Sequence, residues 1–247
     1  MMHARAIFAL TLGCSVYATA LADDLEKVGF RDDFIGKYDP AWQIIREVPE
    51  NISLTKQPGM LTITTRSGSI WGRLKSARNI FLIDNPLKEK TDFVMTTRIF
   101  GFDPQADYQQ AGLLCCDDLD NYLKFVFEFD TDNGGKTLAI VPEIEGDEKK
   151  NVVLKVKEIE DEVWLRIVKF DNEFVFTASR DGMKYVIIGK YKLGSGRLAQ
   201  VGLIAKNGPT GAPGIDAHFD EFEIVPLDTQ PDLKNLINEK PFEGSEF

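Results

Sequence analysis

In the second half of the stretch 108–132 the chain alternates with a period of two. Leu123, Phe125, Phe127 and Phe129 are apolar, while Tyr122, Lys124, Glu128 and Asp130, with Val126 among them, are mostly polar. Successive residues of a strand point to opposite faces of its sheet. A run of this length therefore belongs to a sheet with one face buried and the other turned to water or to a ligand. The Asp/Asn-rich segment in its middle divides the stretch into two strands around a turn.

The same signal recurs along the chain. In residues 92–102, Phe93, Met95, Thr97 and Ile99 share one face, and Val94, Thr96, Arg98 and Phe100 share the other. Residues 163–170, 173–179 and 184–190 read as two hairpins turning at Asp171-Asn172 and Asp181-Gly182, pairs that tolerate positive φ. Further strands are expected at 25–34, 42–46, 61–65, 79–83, 136–141, 200–206 and 215–225. Helical periodicity is scarce. About a dozen strands at regular spacing make an all-β sandwich or jelly roll, and 247 residues suffice for one such domain. The charged segment 143–150 reads as a solvated turn, residues 207–214 as a loop of breakers, and 226–247 as a loose polar tail with a short helix near 232–239.

The formal net charge is −10, which argues against nucleic-acid partners and against docking on anionic lipid. Residues 1–22 read as a secretory leader: a positive start, an apolar run and Ala20-Leu21-Ala22 before Asp23. The run is too short and ends too abruptly in charge for a transmembrane span. The expected compartment is periplasmic or extracellular. Lipid attachment at Cys14 ranks second, because Thr11 stands where an aliphatic residue is usual. Domain bounds follow as leader 1–22, sandwich 23–225 and tail 226–247. Past the leader, Cys115 and Cys116 are adjacent and point to opposite faces, so two free thiols are expected, one in the core and one on the groove side. With His218 the one histidine beyond the leader, zinc and Ser-His-Asp chemistry are disfavoured.

Tyr108-Gln109-Gln110-Ala111-Gly112-Leu113, Asp120-Asn121-Tyr122-Leu123-Lys124 and Glu128 follow one another in an order that resembles a known group. So do Trp71-Gly72-Arg73 as a strand start, the hairpin Ser179-Arg180-Asp181-Gly182, and the end segments Phe30-Arg31-Asp32-Asp33-Phe34 and Ala217-His218-Phe219-Asp220. The group is the concanavalin A-like sandwiches found as the C-terminal module of β-xylosidases and as related stand-alone proteins. The resemblance implies a lectin/glucanase-type jelly roll. It also implies a poly- or oligosaccharide partner held on a concave sheet face. Cys115-Cys116 departs from the pattern, which usually has larger or charged residues there.

On this reading Trp71, Arg98, Gln110, Tyr122, Lys124, Glu128, Trp164 and Arg166 would line the groove. Aromatic rings stack on sugar C–H faces while amides, carboxylates and guanidinium groups take hydroxyls. The bland alternative is a solvated face carrying ion pairs such as Lys124–Glu128, worth little. The expected role is a non-catalytic binding or accessory protein. A rival is a glycoside hydrolase using Glu128 and Asp130, whose same-face spacing of about 7 Å suits an inverting pair; Asp132 is assigned to the turn. A third reading is a structural, protein-interacting domain. The resemblance further implies a structural calcium ion at Asp33 and Asp220, which equally suit turn capping.

Overall fold

The computed structural model describes residues 29–247 apart from 88–89, 194–197, 209–210 and 244–246. The expected leader, Cys14 within it and the start of the first expected strand lie outside the described residues. The strands are β1 (Phe30–Asp32), β2 (Gln43–Ile45), β3 (Ile52–Ser53), β4 (Leu61–Thr64), β5 (Ile80–Asp84), β6 (Phe93–Phe100), β7 (Gln110–Asp118) and β8 (Asn121–Asp130). They continue as β9 (Gly135–Ile144), β10 (Asp147–Glu148), β11 (Val152–Lys155), β12 (Val163–Phe170), β13 (Glu173–Ser179), β14 (Val186–Lys192), β15 (Gln200–Lys206) and β16 (Asp216–Pro226).

They form two eight-stranded sheets. Sheet I runs β14-β13-β12-β6-β16-β4-β3, with β1 also paired to β16. Sheet II runs β10-β9-β8-β7-β15-β5-β2, with β11 also on β9. Named strands pair antiparallel throughout. Neighbours are often distant in sequence: β6 lies between β12 and β16, and β15 between β7 and β5. The sandwich is thus stitched by long crossovers, and each sheet needs the other to cover its apolar face.

The alternating runs do as their pattern requires. Leu123, Phe125 and Phe127 of β8 point into the space between the sheets, with Leu113 and Cys115 of β7, Leu165 and Ile167 of β12, and Phe174 and Phe176 of β13. Phe125 meets Phe176 edge to face at 5.4 Å between centroids, tying sheet II to sheet I. Each such side chain contributes about 1.5–3 kcal/mol when fully buried. Gly112 is required at its place on β7, because a Cβ there would collide with the Phe125 carbonyl and Val126 Cα of the neighbouring strand. Cys115 and Cys116 are both free and buried, Cys115 in the central core and Cys116 on the outer side of sheet II.

Several expectations are corrected. Trp71-Gly72-Arg73 is no strand start but part of a bent crossing between β4 and β5. Segment 143–150 is not a solvated loop throughout: β9 runs on to Ile144, and Glu143 is fully buried. Strand β11 was missed by the pattern reading. The tail is not loose where it is described. Two short 3-10 helices, Leu227–Thr229 and Pro231–Asn238, follow β16. Leu227 is buried, and Leu233, Leu236 and Ile237 pack with Val94, Val168, Val175 and Ile187 on the outer face of sheet I. Leu227 N–H donates to Asp92 O at 2.8 Å and Phe242 N–H to Ile187 O at 2.6 Å, which fixes the segment at both ends. No helix among the described residues is long and apolar enough to cross a membrane.

Truncation after Pro226 strips this cover. The expected loss is at least about 2 kcal/mol from Leu227 and its neighbours, or roughly 4–8 °C in Tm for a domain of this size. Thermal unfolding of the truncated chain checks it, and an unchanged Tm would show that the tail contributes nothing.

Candidate functional site

A pocket of about 450 Å³ opens on the outer face of sheet II. Its floor is a cross-strand row. Lys206 of β15 stands opposite Gln110 of β7, and Gln110 stands opposite Glu128 of β8. Lys124, on the same face of β8, reaches Gln110 past the empty position of Gly112. Its Nζ donates to Gln110 Oε1 at 2.9 Å. Gln110 Nε2 in turn donates to Glu128 Oε2. Lys206 Nζ donates to the carbonyls of Tyr108 (3.4 Å) and Asn207 (3.2 Å). Lys124, Glu128 and Lys206 are 2–3% exposed, although all three line the pocket. Trp71, Leu74 and Tyr108 supply apolar walls, and Asp130, Asp132 and Asn133 close one end.

The roof is the segment between β4 and β5. Ile70 and Ala77 pack on Leu82, Leu114, Cys116 and Tyr122, so the crossing sits on an apolar patch of the sheet's outer face. Glu143 holds it there. The Gly72 N–H donates to Glu143 Oε2 at 2.7 Å, with Gly72 at φ 55°, a conformation that glycine adopts without strain. The Tyr122 hydroxyl donates to the same oxygen at 3.0 Å. Lys75 Nζ donates to Glu143 Oε1 at 2.6 Å, to Ile70 O at 2.9 Å and to Leu119 O at 2.5 Å. A carboxylate removed from water is tolerated only when paired and hydrogen-bonded in this way.

The expected groove residues are divided by the structure. Trp71, Gln110, Lys124 and Glu128 meet in the pocket. Tyr122 lies beneath it, fully buried, as a support for Glu143. Arg98, Trp164 and Arg166 do point out of their strands, but from β6 and β12 of sheet I, the opposite side of the sandwich. There Arg98 bridges Glu162 (2.8 and 2.6 Å) and Asp220 (2.8 Å) and stacks on Trp164. Arg166 stacks on Tyr185, 3.6 Å from its ring centre. These residues satisfy one another and share no groove with Lys124.

The carboxylates differ from expectation too. Asp130 Oδ1 accepts the N–H groups of Asp132 (3.0 Å) and Asn133 (3.3 Å), and Oδ2 accepts Asn133 Nδ2 at 2.7 Å. Asp132 lies in the turn after β8, as the pattern assigned it, and Asp130, the last residue of β8, is the residue that caps that turn rather than a free partner for Glu128. Lys124 and Glu128 are joined through Gln110 and are buried rather than solvated. Asp33 is exposed and accepts the Ile35 N–H at 3.2 Å, while Asp220 pairs with Arg98. Among the described residues no three His, Cys, Asp or Glu side chains gather as a metal site. The buried carboxylate at that corner is Asp32, which accepts from Phe34 N, Asp39 N and Trp42 Nε1 at 2.7–2.9 Å. Lys206, Lys75, Glu143 and Tyr108 were not singled out in the sequence as site residues. Of these, Lys206 carried a local signal, a lone cation closing an apolar strand.

Burial sets the electrostatics. It pulls the Lys124 ammonium down to about 8 and Lys206 well below the usual lysine range, the latter helped by repulsion from Lys124. Burial raises Glu128 against the opposing pull of Gln110 and the two lysines. It also pushes Cys116 up to about 12 and Cys115 well above its ordinary value, so both thiols stay protonated and poorly nucleophilic.

Two outcomes follow from these contacts. Glu143→Ala removes the acceptor of the Gly72 N–H and the Tyr122 hydroxyl, while Lys75 keeps Asp120 at 3.0 Å and two carbonyls; leaving such buried donors unsatisfied costs about 1–3 kcal/mol. Chemical denaturation should show that loss, together with faster proteolysis of the crossing around Trp71. Lys124 binds fewer protons folded than unfolded between pH 8 and 10.5, so its destabilising effect is full below pH 8 and fades as pH rises toward 10.5. The stability gain of Lys124→Met over wild type should therefore narrow from pH 7 to pH 10. A gap that stays constant with pH would show that Lys124 is not perturbed.

With this geometry in place, the chain can be compared with known proteins. A search of curated proteins gave no match. Among solved structures, the GH43 BlXynB protein from Bacillus licheniformis aligns with a TM-score of 0.67 at 23% identity, over 79% of this chain and 39% of that one. This chain thus spans well under half of that enzyme. A functionally unknown protein from Saccharomyces cerevisiae aligns with a TM-score of 0.61 at 17% identity, over 75% of this chain and 96% of the other. The β-glucanase of Bacillus licheniformis aligns at 0.55 and 10% identity, over 80% and 98%. At these identities the likeness is one of fold, and it establishes the concanavalin A-like jelly roll expected from the sequence. The model of a protein family of unknown function, DUF1349, matches residues 53–227, most of the sandwich, and the chain belongs to that family.

Proposed function

We propose that this protein binds a saccharide in the pocket on sheet II and performs no chemistry on it. The observation that carries the reading is the pairing of the walls with the floor. Trp71, Tyr108 and Leu74 offer apolar surface at the sides, and Gln110, Lys124, Glu128 and Lys206 offer polar groups below. That division suits a sugar ring, which has apolar C–H faces and a polar rim. The volume of about 450 Å³ lies within the range of small-molecule sites. The GH43 protein and the β-glucanase among the structural neighbours support a carbohydrate partner by analogy of fold.

The reading is non-catalytic because Glu128 has no free partner at the expected place. The two-carboxylate mechanism of most glycosidases needs a second carboxyl group free to act, and both oxygens of Asp130 are engaged in the turn at Thr131–Asn133. Gln110 also holds Glu128 by direct hydrogen bonding.

Calorimetric titration with neutral and acidic oligosaccharides tests the proposal. Trp71→Ala should weaken binding at least about tenfold, equal to 1.4 kcal/mol, while Arg166→Ala on the opposite sheet should leave it unchanged. Absence of binding across the panel would sink the reading. Release of reducing ends by wild type, abolished in Glu128→Gln, would replace it with the hydrolase alternative.

A further inference from the structure

We infer that the saccharide carries a carboxylate, as a uronic acid does, and that Lys124 and Lys206 hold that group together. The inference rests on the proposed use of this pocket and adds the chemical class of its ligand.

The argument is one of unfilled donors. An ammonium group has three N–H donors and no acceptor. Among the described residues Lys124 Nζ has one protein acceptor, Gln110 Oε1, and Lys206 Nζ has two, the Tyr108 and Asn207 carbonyls. Both side chains are at most 3% exposed, so water reaches these donors only through the pocket that both line. The two lysines flank one residue: Lys124 is bonded to Gln110, and Lys206 lies directly beside it in the strand register. Their unused donors therefore serve the same part of the floor. A carboxylate, with two oxygens and lone pairs to spare, fills them in a single contact.

The charge balance points the same way. Two cations on the floor face one carboxylate, Glu128, and Glu128 already accepts from Gln110. Asp130 and Asp132 also line the pocket, and Glu143 acts on Lys124 from beneath the crossing, but among the described residues none of the three forms an ion pair with Lys124 or Lys206. Asp130 is committed to the turn, and Asp132 is exposed at the end of the pocket. No carboxylate is hydrogen-bonded to either ammonium: Lys124 donates to the Gln110 amide and Lys206 to two backbone carbonyls. Neutral sugar hydroxyls could accept from the lysines, but a carboxylate makes charge-assisted hydrogen bonds to both ammonium groups, roughly twice as strong as neutral ones. An amino sugar would need free carboxylates on the floor, and the floor offers cations instead. Burial also lowers the proton affinity of both lysines, and an incoming anion opposes that shift.

The test compares sugars matched in shape. A galacturonic acid trimer, its carboxamide form and a galactose trimer are titrated into the full-length mature protein at low salt. A glucuronic acid-bearing xylo-oligosaccharide and its unsubstituted counterpart form a second pair. Wild type should bind the acid of each set at least about tenfold more tightly than the neutral form, the scale of a close, desolvated charge pair. Lys124→Met and Lys206→Met should each remove most of that preference, weakening the acid of each set more than its neutral form. Equal affinity for the acid and its amide in wild type would overturn the inference even if neither variant folds. A preference that survives in folded variants would also overturn its assignment to these lysines. Binding of neutral and acidic forms alike would defeat this inference and leave the saccharide site standing. Failure of every sugar to bind would remove both.

Discussion

Glu143 is the point on which the site depends. A sheet's outer face is otherwise flat and wet, and a flat face encloses nothing. Here one buried carboxylate gathers the Gly72 N–H, the Tyr122 hydroxyl and the Lys75 ammonium, and thereby pins the crossing between β4 and β5 against β8 and β9. The crossing brings Trp71 and Leu74 over the sheet and makes a wall. Isolated, a carboxylate with no exposed surface would be strongly unfavourable; with two oxygens bonded and an ammonium at 2.6 Å it becomes a directional anchor. The pocket is thus a product of one polar contact laid on an apolar patch of Ile70, Leu114, Cys116 and Tyr122.

The sandwich has three apolar layers rather than one. The central layer lies between the sheets and holds most of the aromatic residues. A second lies under the β4–β5 crossing on sheet II, and a third lies under the C-terminal 3-10 segment on sheet I. Each outer face is therefore covered in part, and by different means. On sheet I the cover is the tail, beside a self-contained set of stacked cations and carboxylates around Arg98. On sheet II the cover stops short, and the uncovered strip is the row Lys206–Gln110–Glu128. On sheet II the result is an open pocket floored by buried polar side chains.

Much of this was legible from residue order, because period two is a local property. Leu123, Phe125 and Phe127 had to share a face, and they do. What alternation does not encode is which sheet a strand joins. Arg98 and Lys124 each point outward, as their patterns require, yet β6 and β8 lie in different sheets and their outward directions are opposed. Pairings set by long crossovers decided that. Glu143 was hidden for a related reason: it sits in a run of charges, and its partner Lys75 is 68 residues away. The tail did carry a readable signal, Leu233, Leu236 and Ile237 at spacings of three and four, but the polar residues between them masked it. Asp132 was placed in the turn by its neighbours Asn133-Gly134-Gly135, but the capping role of Asp130 was not legible, because it depends on the direction of the Asp132 and Asn133 N–H groups.

The same period that separates core from surface also separates fold from chemistry. On β8 the inward residues Leu123, Phe125 and Phe127 are interchangeable with other apolar residues of similar volume at modest cost. The outward residues Lys124 and Glu128 are not, because each is desolvated and each leans on Gln110. Leucine or methionine at Lys124 would satisfy the fold better than an ammonium whose proton affinity is pulled down to about 8. A buried cation with donors to spare is thus unfavourable for folding on its own terms. Gln110, Glu128 and Glu143 offset part of that cost, and an acceptor arriving through the pocket between Trp71 and Tyr108, as proposed above, would offset more. The energetic weakness of the floor and the existence of the opening are two aspects of one arrangement, and that coincidence is the strongest physical reason to place the ligand there.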